Sequence, residues 1–264
     1  MPCRRSQHCL VRGSEQMGRI SIPKIAHRAA DRLGAFHEKH SWLGPTIFIS
    51  SALYFYAQIV VAWVFRPQYS LVFNTISDLG NTTCGHYGTG DVCSPRWWLM
   101  DAAFVLLGLV MAGGSLLIYH EFREKDTTQR VAAFYGFLLM AIGGVGVILV
   151  GIFPENTISY MHVAGAGLAI GAGNVGIFIL GAALSLPEAM RRYMLVFSTV
   201  SLTALFLFAF HQYFGIGAGT MERIAAYPET IWLITFGLFI WRFHPKDHSS
   251  GYWQSTPDPP DGSS

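Results

Sequence analysis

Charged residues are scarce in this sequence: Asp, Glu, Lys and Arg together form 13% of its 264 residues, whereas 52% are hydrophobic. A soluble domain of this size requires a larger polar surface, so the composition indicates an integral membrane protein. Strict alternation of apolar and polar residues is also missing from the apolar runs, which leaves helices as the elements that cross the membrane.

Several functional signatures are missing as well. The sequence has no basic segment with interleaved aromatic residues, so nucleic acid is not an expected partner despite the net charge of +2. It has no internal repeat, which argues against an inverted-repeat transporter. It has no Gly-x-Ser-x-Gly nucleophile motif. Within residues 45–243 it also lacks a pair of histidines one helical turn apart, so no zinc ion or other cofactor is predicted.

Six apolar runs are each about 20 residues long, which is the length of a helix that crosses a bilayer. They cover residues 45–65, 98–119, 131–153, 162–186, 193–214 and 223–243. In the last run, a start near Arg223 places Pro228 in the second turn and Glu229 within the membrane. The predicted fold class is all-α, a polytopic bundle of six transmembrane helices over residues 45–243. An N-terminal segment (1–44) precedes it, and a disordered, Pro-rich tail (244–264) follows it.

Lys and Arg are distributed unevenly over the two sides of this bundle. Of the 18 such residues, fifteen fall in the N-terminal segment, the two short turns and the C-terminal end, and only Arg66, Arg96 and Arg223 fall on the other side. Positive loops stay in the cytoplasm, so both termini are predicted to be cytoplasmic in a multi-pass protein of the cell membrane. Helically spaced apolar residues from Ile22 to Phe36 also favour an amphipathic helix on the membrane surface.

Cysteine is used sparingly, with four residues in the chain. Cys3 and Cys9 fall on the cytoplasmic side and are expected to be free thiols. Cys84 and Cys93 fall in the first outer loop, and the glycines between them suit the closure of a small ring. A disulfide is predicted there because the loop faces an oxidising space; two free thiols in a flexible loop are the alternative.

Glycine concentrates in the third and fourth spans. Gly167 and Gly171 stand four residues apart, a spacing that lets two helices approach closely. Tight packing of these spans is the expected role, and a glycine-lined groove for a lipid or substrate is the alternative.

Ionisable residues collect at the outer ends of the spans and in the loops that join them. They are Asp78, His86, Asp91, Arg96, Asp101, Glu155, His162, His211, Glu222, Arg223 and Glu229. A charge at a lipid boundary is costly, so these side chains should face one another, water or a ligand. Asp101 lies about one turn into the second span, either as a helix-terminus charge or beside Asp78, and Arg96 could pair with either acid.

The outer ends of the later spans carry further ionisable residues. Pro154 stops the third span, so Glu155 could meet His162 at the start of the fourth. His211 lies near the outer end of the fifth span. Glu222 and Arg223 open the last span, where they either neutralise each other or leave the guanidinium free to bind a phosphate or carboxylate.

These motifs resemble those of a known family. The residues concerned are 74–80 (Asn-Thr-Ile-Ser-Asp-Leu-Gly), Phe153-Pro154-Glu155 with His162, and Glu222-Arg223 before Tyr227-Pro228 and Trp232. They resemble a bacterial six-span membrane family known as domain of unknown function 998, over residues 45–243. The resemblance implies a fold and a topology but no activity.

A fainter similarity concerns residues 76–80, the cysteine-bearing loop and residues 162–166. These are similar to segments of the damage-regulated autophagy modulator family, six-span proteins of eukaryotic endomembranes. That family has Thr where Leu79 stands and Asn-Phe-Gln in place of residues 153–155, so the similarity does not extend to Glu155.

Two functions are compatible with the outer cluster. In the first, the protein is not an enzyme, and the cluster binds a lipid headgroup or a small polar ligand or holds the helix ends together. The candidate ligand-binding residues are Asp101, Arg96, His211, Glu222 and Arg223. Membrane lipids are the expected partners, and the oligomeric state is not indicated.

In the second, the protein is a hydrolase or acyltransferase acting on a lipid or lipid-linked substrate at the outer leaflet. Ser77 is then the nucleophile, His162 its base, and Asp78 or Glu155 the acid that orients the base. Contact between Ser77 and His162 within about 3.5 Å, or through one bridging water, in a pocket open to the outer leaflet would favour this function. A transporter would need acids deep in several spans, and only Glu229 is a candidate.

Overall fold

The computed structural model describes residues 42–87, 90–122 and 126–243. The expected amphipathic helix between Ile22 and Phe36, the thiols Cys3 and Cys9, and the tail 244–264 lie outside the described residues.

Helices form about three quarters of the described chain, and seven of them are α-helices. They are α1 (Leu43–Ser50), α2 (Ala52–Val64), α3 (Trp97–Tyr119), α4 (Thr127–Ile152), α5 (Ser159–Ala183), α6 (Glu188–Ala209) and α7 (Ala218–Phe243). With α1 and α2 counted as one span, Leu43–Val64, six helices of the described chain are long and apolar enough to cross a membrane. The all-α fold class with six spans is therefore confirmed.

The first and last spans are less regular than the other four. A turn at Ser51 separates α1 from α2, where the hydroxyls of Ser50 and Ser51 donate to backbone carbonyls of the preceding turn. Helix α7 begins at Ala218 rather than near Arg223 and continues through Pro228. The longer helix places Glu222 and Arg223 in its first two turns, with both side chains buried.

Glycines allow α4 to approach α3 and α5 closely, which agrees with the tight packing expected of the third and fourth spans. A Cβ on Gly146 of α4 would lie 2.6 Å from the carbonyl oxygen of Gly165 of α5. A Cβ on Gly144 of α4 would lie at the same distance, 2.6 Å, from the carbonyl oxygen of Gly108 of α3. By contrast, a Cβ on Gly167 would meet nothing within 4 Å. The interpretation of Gly167 and Gly171 as a packing step was wrong, because both face away from the neighbouring backbones.

The long loop between α2 and α3 carries a small hairpin. Strands β1 (Gly85–Tyr87) and β2 (Gly90–Val92) pair antiparallel, and Cys84 and Cys93 form a disulfide at their base with a Cα–Cα distance of 4.2 Å. Ser94 then donates a hydrogen bond of 2.6 Å to the carbonyl of Leu79. The hairpin is thereby attached to residues 77–80, the segment at the centre of the polar cluster.

Candidate functional site

The segment 74–80 closes into a short turn that its own side chains stabilise. One carboxylate oxygen of Asp78 accepts hydrogen bonds of 3.0 Å from the Asn74 amide group and the Thr75 backbone N–H. In return, the backbone N–H of Asp78 donates to the Thr75 hydroxyl. This local pairing favours a 3₁₀ turn over Ser77–Gly80, which is buried at one end of the bundle.

Three side chains from three separate parts of the chain meet at this turn. The Nε2 atom of His162, in the first turn of α5, lies 2.9 Å from the Ser77 hydroxyl oxygen. A carboxyl oxygen of Glu222, from α7, lies 3.1 Å from the same hydroxyl. The other Glu222 oxygen accepts the backbone N–H of Ile76. All three side chains belong to residues that are at most 9% exposed.

The hydrogen-bond partners determine how protons are arranged in this chain of groups. A carbonyl oxygen can only accept, so the Nδ1 atom of His162, 2.9 Å from the carbonyl of Phe153, carries a proton. The Ser77 hydroxyl has one proton but faces both Nε2 and a carboxyl oxygen. Satisfying both contacts requires one further proton, on Glu222 or on Nε2. The Glu222–Ser77–His162 chain therefore shares a proton that can shift along it.

Neither of the acids expected to orient His162 does so. Asp78 is directed into its own turn, and Glu155 accepts a hydrogen bond of 3.0 Å from the Asn81 amide group. Burial and the nearby Asp78 carboxylate raise the pKa of Glu155 well above its ordinary value. The backbone carbonyl of Phe153 takes the orienting position instead, because the chain leaving α4 passes directly beside the start of α5.

Arg223 holds the first loop against α7. Its guanidinium donates to the carbonyls of Leu71, Asn74 and Gly219 at 2.7–3.1 Å and to the Tyr69 hydroxyl. Glu222 and Arg223 form no ion pair with each other, since consecutive helical residues point in different directions. The guanidinium is thus engaged by the protein rather than presented to a phosphate or carboxylate.

Replacing Arg223 with Met should lower the free energy of unfolding by about 3 kcal/mol, because hydrogen bonds to a charged group each contribute about 1.5–3 kcal/mol. Denaturant titration of the purified protein in detergent, followed by helical circular dichroism, measures the change. Arg96→Met is the matched control, since Arg96 is exposed and forms no ion pair with a described residue. Equal unfolding midpoints for the two variants would contradict the role assigned to Arg223.

The remaining predicted ligand-binding residues do not join the chain of Ser77. Arg96 is exposed and pairs with neither Asp78 nor Asp101 among the described residues. Asp101 is buried with its carboxyl against Gly80, where an added Cβ would lie 2.4 Å from it. His211 is exposed, and its ring pairs with the Tyr213 hydroxyl. Arg96, Asp101 and His211 were predicted as ligand-binding residues because they lie near the outer ends of the spans. Position along a span does not determine the direction in which a side chain points.

A cavity between the helices extends from Ser77 and Glu222 into the bundle. Its volume, as the space open to the centre of a water molecule, is about 60 Å³. That is room for several waters, at about 10–15 Å³ each. Its walls are mostly apolar, with Glu229 and Thr230 of α7 at greater depth.

The six long apolar helices of the described chain define its class: it is a multi-pass membrane protein. Residues 49–238 match the model of the family described as protein of unknown function (DUF998), and the chain belongs to that family. No curated protein and no solved structure matches it. The family is the one that the sequence motifs resemble, whereas the comparisons do not show the similarity to the damage-regulated autophagy modulators.

Proposed function

We propose that this protein is a membrane-embedded hydrolase or acyltransferase that acts on an ester or other acyl group of a lipid or lipid-linked substrate. Ser77 is the nucleophile and His162 is the general base. The observation that carries the proposal is the 2.9 Å distance between the Ser77 hydroxyl oxygen and Nε2 of His162. It lies within the range in which a base can take a proton from a nucleophile.

The surroundings of His162 support this role. Its Nδ1 proton is held by the carbonyl of Phe153 at 2.9 Å, so Nε2 is the ring nitrogen that faces Ser77, and it can accept a proton when Glu222 holds the further proton of the chain. As the Ser77 oxygen bonds to the acyl carbon, Nε2 accepts the hydroxyl proton and later returns it to the leaving alcohol or amine. Water or a second alcohol then attacks the acyl-Ser77 ester and releases the enzyme by the same proton route.

The position of Ser77 supports the proposal of a lipid or lipid-linked substrate. Ser77 lies at the end of the bundle that carries the long loop, where the helices meet the membrane boundary, and it lines the cavity with apolar walls. An acyl group can face those walls while the polar part of the substrate stays at the boundary. The bias of Lys and Arg to the opposite side supports placement of this end at the outer leaflet.

A non-catalytic role is the second candidate, and a separate observation favours it. Asp78 and Arg223 are already bound to backbone groups of residues 71–75, so much of the cluster serves to hold the first loop on the helix ends. In that case Ser77 is a structural hydrogen-bond donor without reactivity. The two candidates differ in whether Ser77 attacks an electrophile.

A fluorophosphonate probe tests this directly, because it modifies a serine only when a neighbouring base activates the hydroxyl. The purified full chain in detergent should be labelled at Ser77, and Ser77→Ala should remove the labelling completely. Ser198→Ala is the matched control: Ser198 is also buried, but its hydroxyl donates to its own helix, and labelling should persist. A folded wild-type protein that is not labelled, or labelling that survives Ser77→Ala, would overturn the proposal.

A further inference from the structure

Glu229 lies deep inside the last span. It is eleven residues after Ala218, the first residue of α7, which corresponds to about 16 Å along the helix axis. The apolar layer of a bilayer is about 30 Å thick, so Glu229 is near its middle. The residue is only 4% exposed.

The carboxyl group of Glu229 has no protein partner within the part of the chain that the structure describes. It forms no hydrogen bond and no ion pair there, and its Oε1 atom is fully buried. Gly173 of α5 makes room for it, since a Cβ at that position would lie 1.6 Å from Oε1. An acid buried in this way is costly as an anion, so it must bind a cation or a proton.

The cavity connects Glu229 with the site at Ser77. Glu222, Ala226 and Glu229 follow one another at intervals of four and three residues, so they occupy the same face of α7. All three line the cavity, with Ala226 between the two acids. Several waters fit between carboxyl groups that stand about 10 Å apart along the helix axis.

The other described side chains that line this cavity include no cation that could pair with Glu229. The titratable residues are Tyr54 of α2 and Glu222 of α7 itself, whereas the positions from α3, α4 and α5 are apolar. A metal ion such as Na⁺ or Mg²⁺ needs several oxygen ligands. Among the described residues no cluster of His, Cys, Asp or Glu could hold a metal. A single carboxyl group in an apolar wall fits a proton instead.

We propose that Glu229 is a proton-binding site inside the bundle that exchanges with the loop-bearing end through the cavity and the Glu222–Ser77–His162 chain. The Glu229 carboxylic acid gives its proton to a cavity water. The Glu222 carboxylate then accepts a proton from the water and becomes a carboxylic acid. Ser77 passes a proton to Nε2 of His162 while it accepts one from Glu222. Each transfer moves one proton and leaves the covalent bonds between heavy atoms intact.

Infrared difference spectroscopy of the full chain in liposomes tests the site. The carbonyl stretch of a protonated carboxylic acid is distinct from the carboxylate bands, and it shifts to lower frequency when the proton is exchanged for deuterium. The wild-type minus Glu229→Gln spectrum should contain such a band, and the band should shift after transfer to D₂O. Glu188→Gln is the control, because Glu188 is exposed and paired with Arg192, and it should not remove the band.

The route is tested with Ala226→Leu, which places a larger apolar side chain between the two acids. This variant should keep the band but slow its shift in D₂O. A wild-type spectrum without a Glu229 acid band would overturn the site, and unchanged exchange in Ala226→Leu would overturn the route. Fluorophosphonate labelling of Ser77 does not depend on Glu229, so the enzymatic proposal and this one can fail separately.

Discussion

Replacing His162 with Gln is expected to lower the rate at which a fluorophosphonate modifies Ser77 by about two to four orders of magnitude, the usual contribution of a general base. The Gln side chain still reaches Phe153 or Ser77 with a hydrogen bond, but it cannot accept a proton from the hydroxyl. Glu222, at 3.1 Å, is then the only remaining group beside Ser77 that can accept its proton. The rate is measured by quenching the labelling reaction after set times and quantifying the modified Ser77 peptide by mass spectrometry.

His86→Gln is the matched control for this experiment. His86 belongs to the exposed hairpin of the first loop and pairs with Asp91 at 3.2 Å, on the same side of the bundle as His162. Its replacement should leave the labelling rate unchanged, which separates the loss of the base from a general effect of histidine removal. A rate for His162→Gln close to that of wild type would show that His162 has a structural role only.

Much of the fold follows from local features of the sequence. Span length and hydropathy determine the six helices, because a lipid-facing backbone must satisfy its own hydrogen bonds. The pairing of Cys84 with Cys93 follows from their closeness in the chain and the glycines between them. The boundaries were less predictable: α7 begins five residues before Arg223, since Gly219 and Thr220 tolerate a helical start that the hydropathy pattern does not indicate.

The site was predictable only in part. Polar residues placed Ser77 and His162 at one end of the bundle, but their contact depends on how residues 77–80 fold back onto α5. The contact between Ser77 and Glu222 joins residues 145 positions apart, and no local pattern contains that information. Asp78 does not orient His162 for a different, local reason: its carboxylate accepts hydrogen bonds from Asn74 and Thr75 within its own turn.

The packing of α4 on α5 supports the geometry of this site. Phe153 follows the end of α4, and His162 lies in the first turn of α5, so their 2.9 Å contact depends on the distance between the two helices. That distance is small because Gly146 and Gly165 place backbone against backbone. A change at the helix contact should therefore affect both stability and the position of His162.

Gly146→Ala is expected to destabilise the folded protein by about 1–3 kcal/mol or more, the typical cost of overpacking. The added Cβ would lie 2.5 Å from the backbone nitrogen of Ala169 and 2.6 Å from the carbonyl oxygen of Gly165. Because both neighbours are backbone atoms of α5, no side-chain rotation relieves the contact. The two helices must separate by a few tenths of an ångström or more, which also lengthens the contact between His162 and Phe153.

Gly167→Ala provides the comparison, since the same substitution is made one helix away at a position with no atom within 4 Å. There Ala should be neutral or stabilising by up to about 1 kcal/mol, because it is the better helix former. Unfolding of both variants with increasing SDS, followed by helical circular dichroism, gives the difference. If Gly146→Ala unfolds at the same SDS fraction as Gly167→Ala, the close contact of α4 with α5 does not exist in the membrane protein. If it unfolds earlier, slower Ser77 labelling in the remaining folded fraction will show that this contact also positions His162.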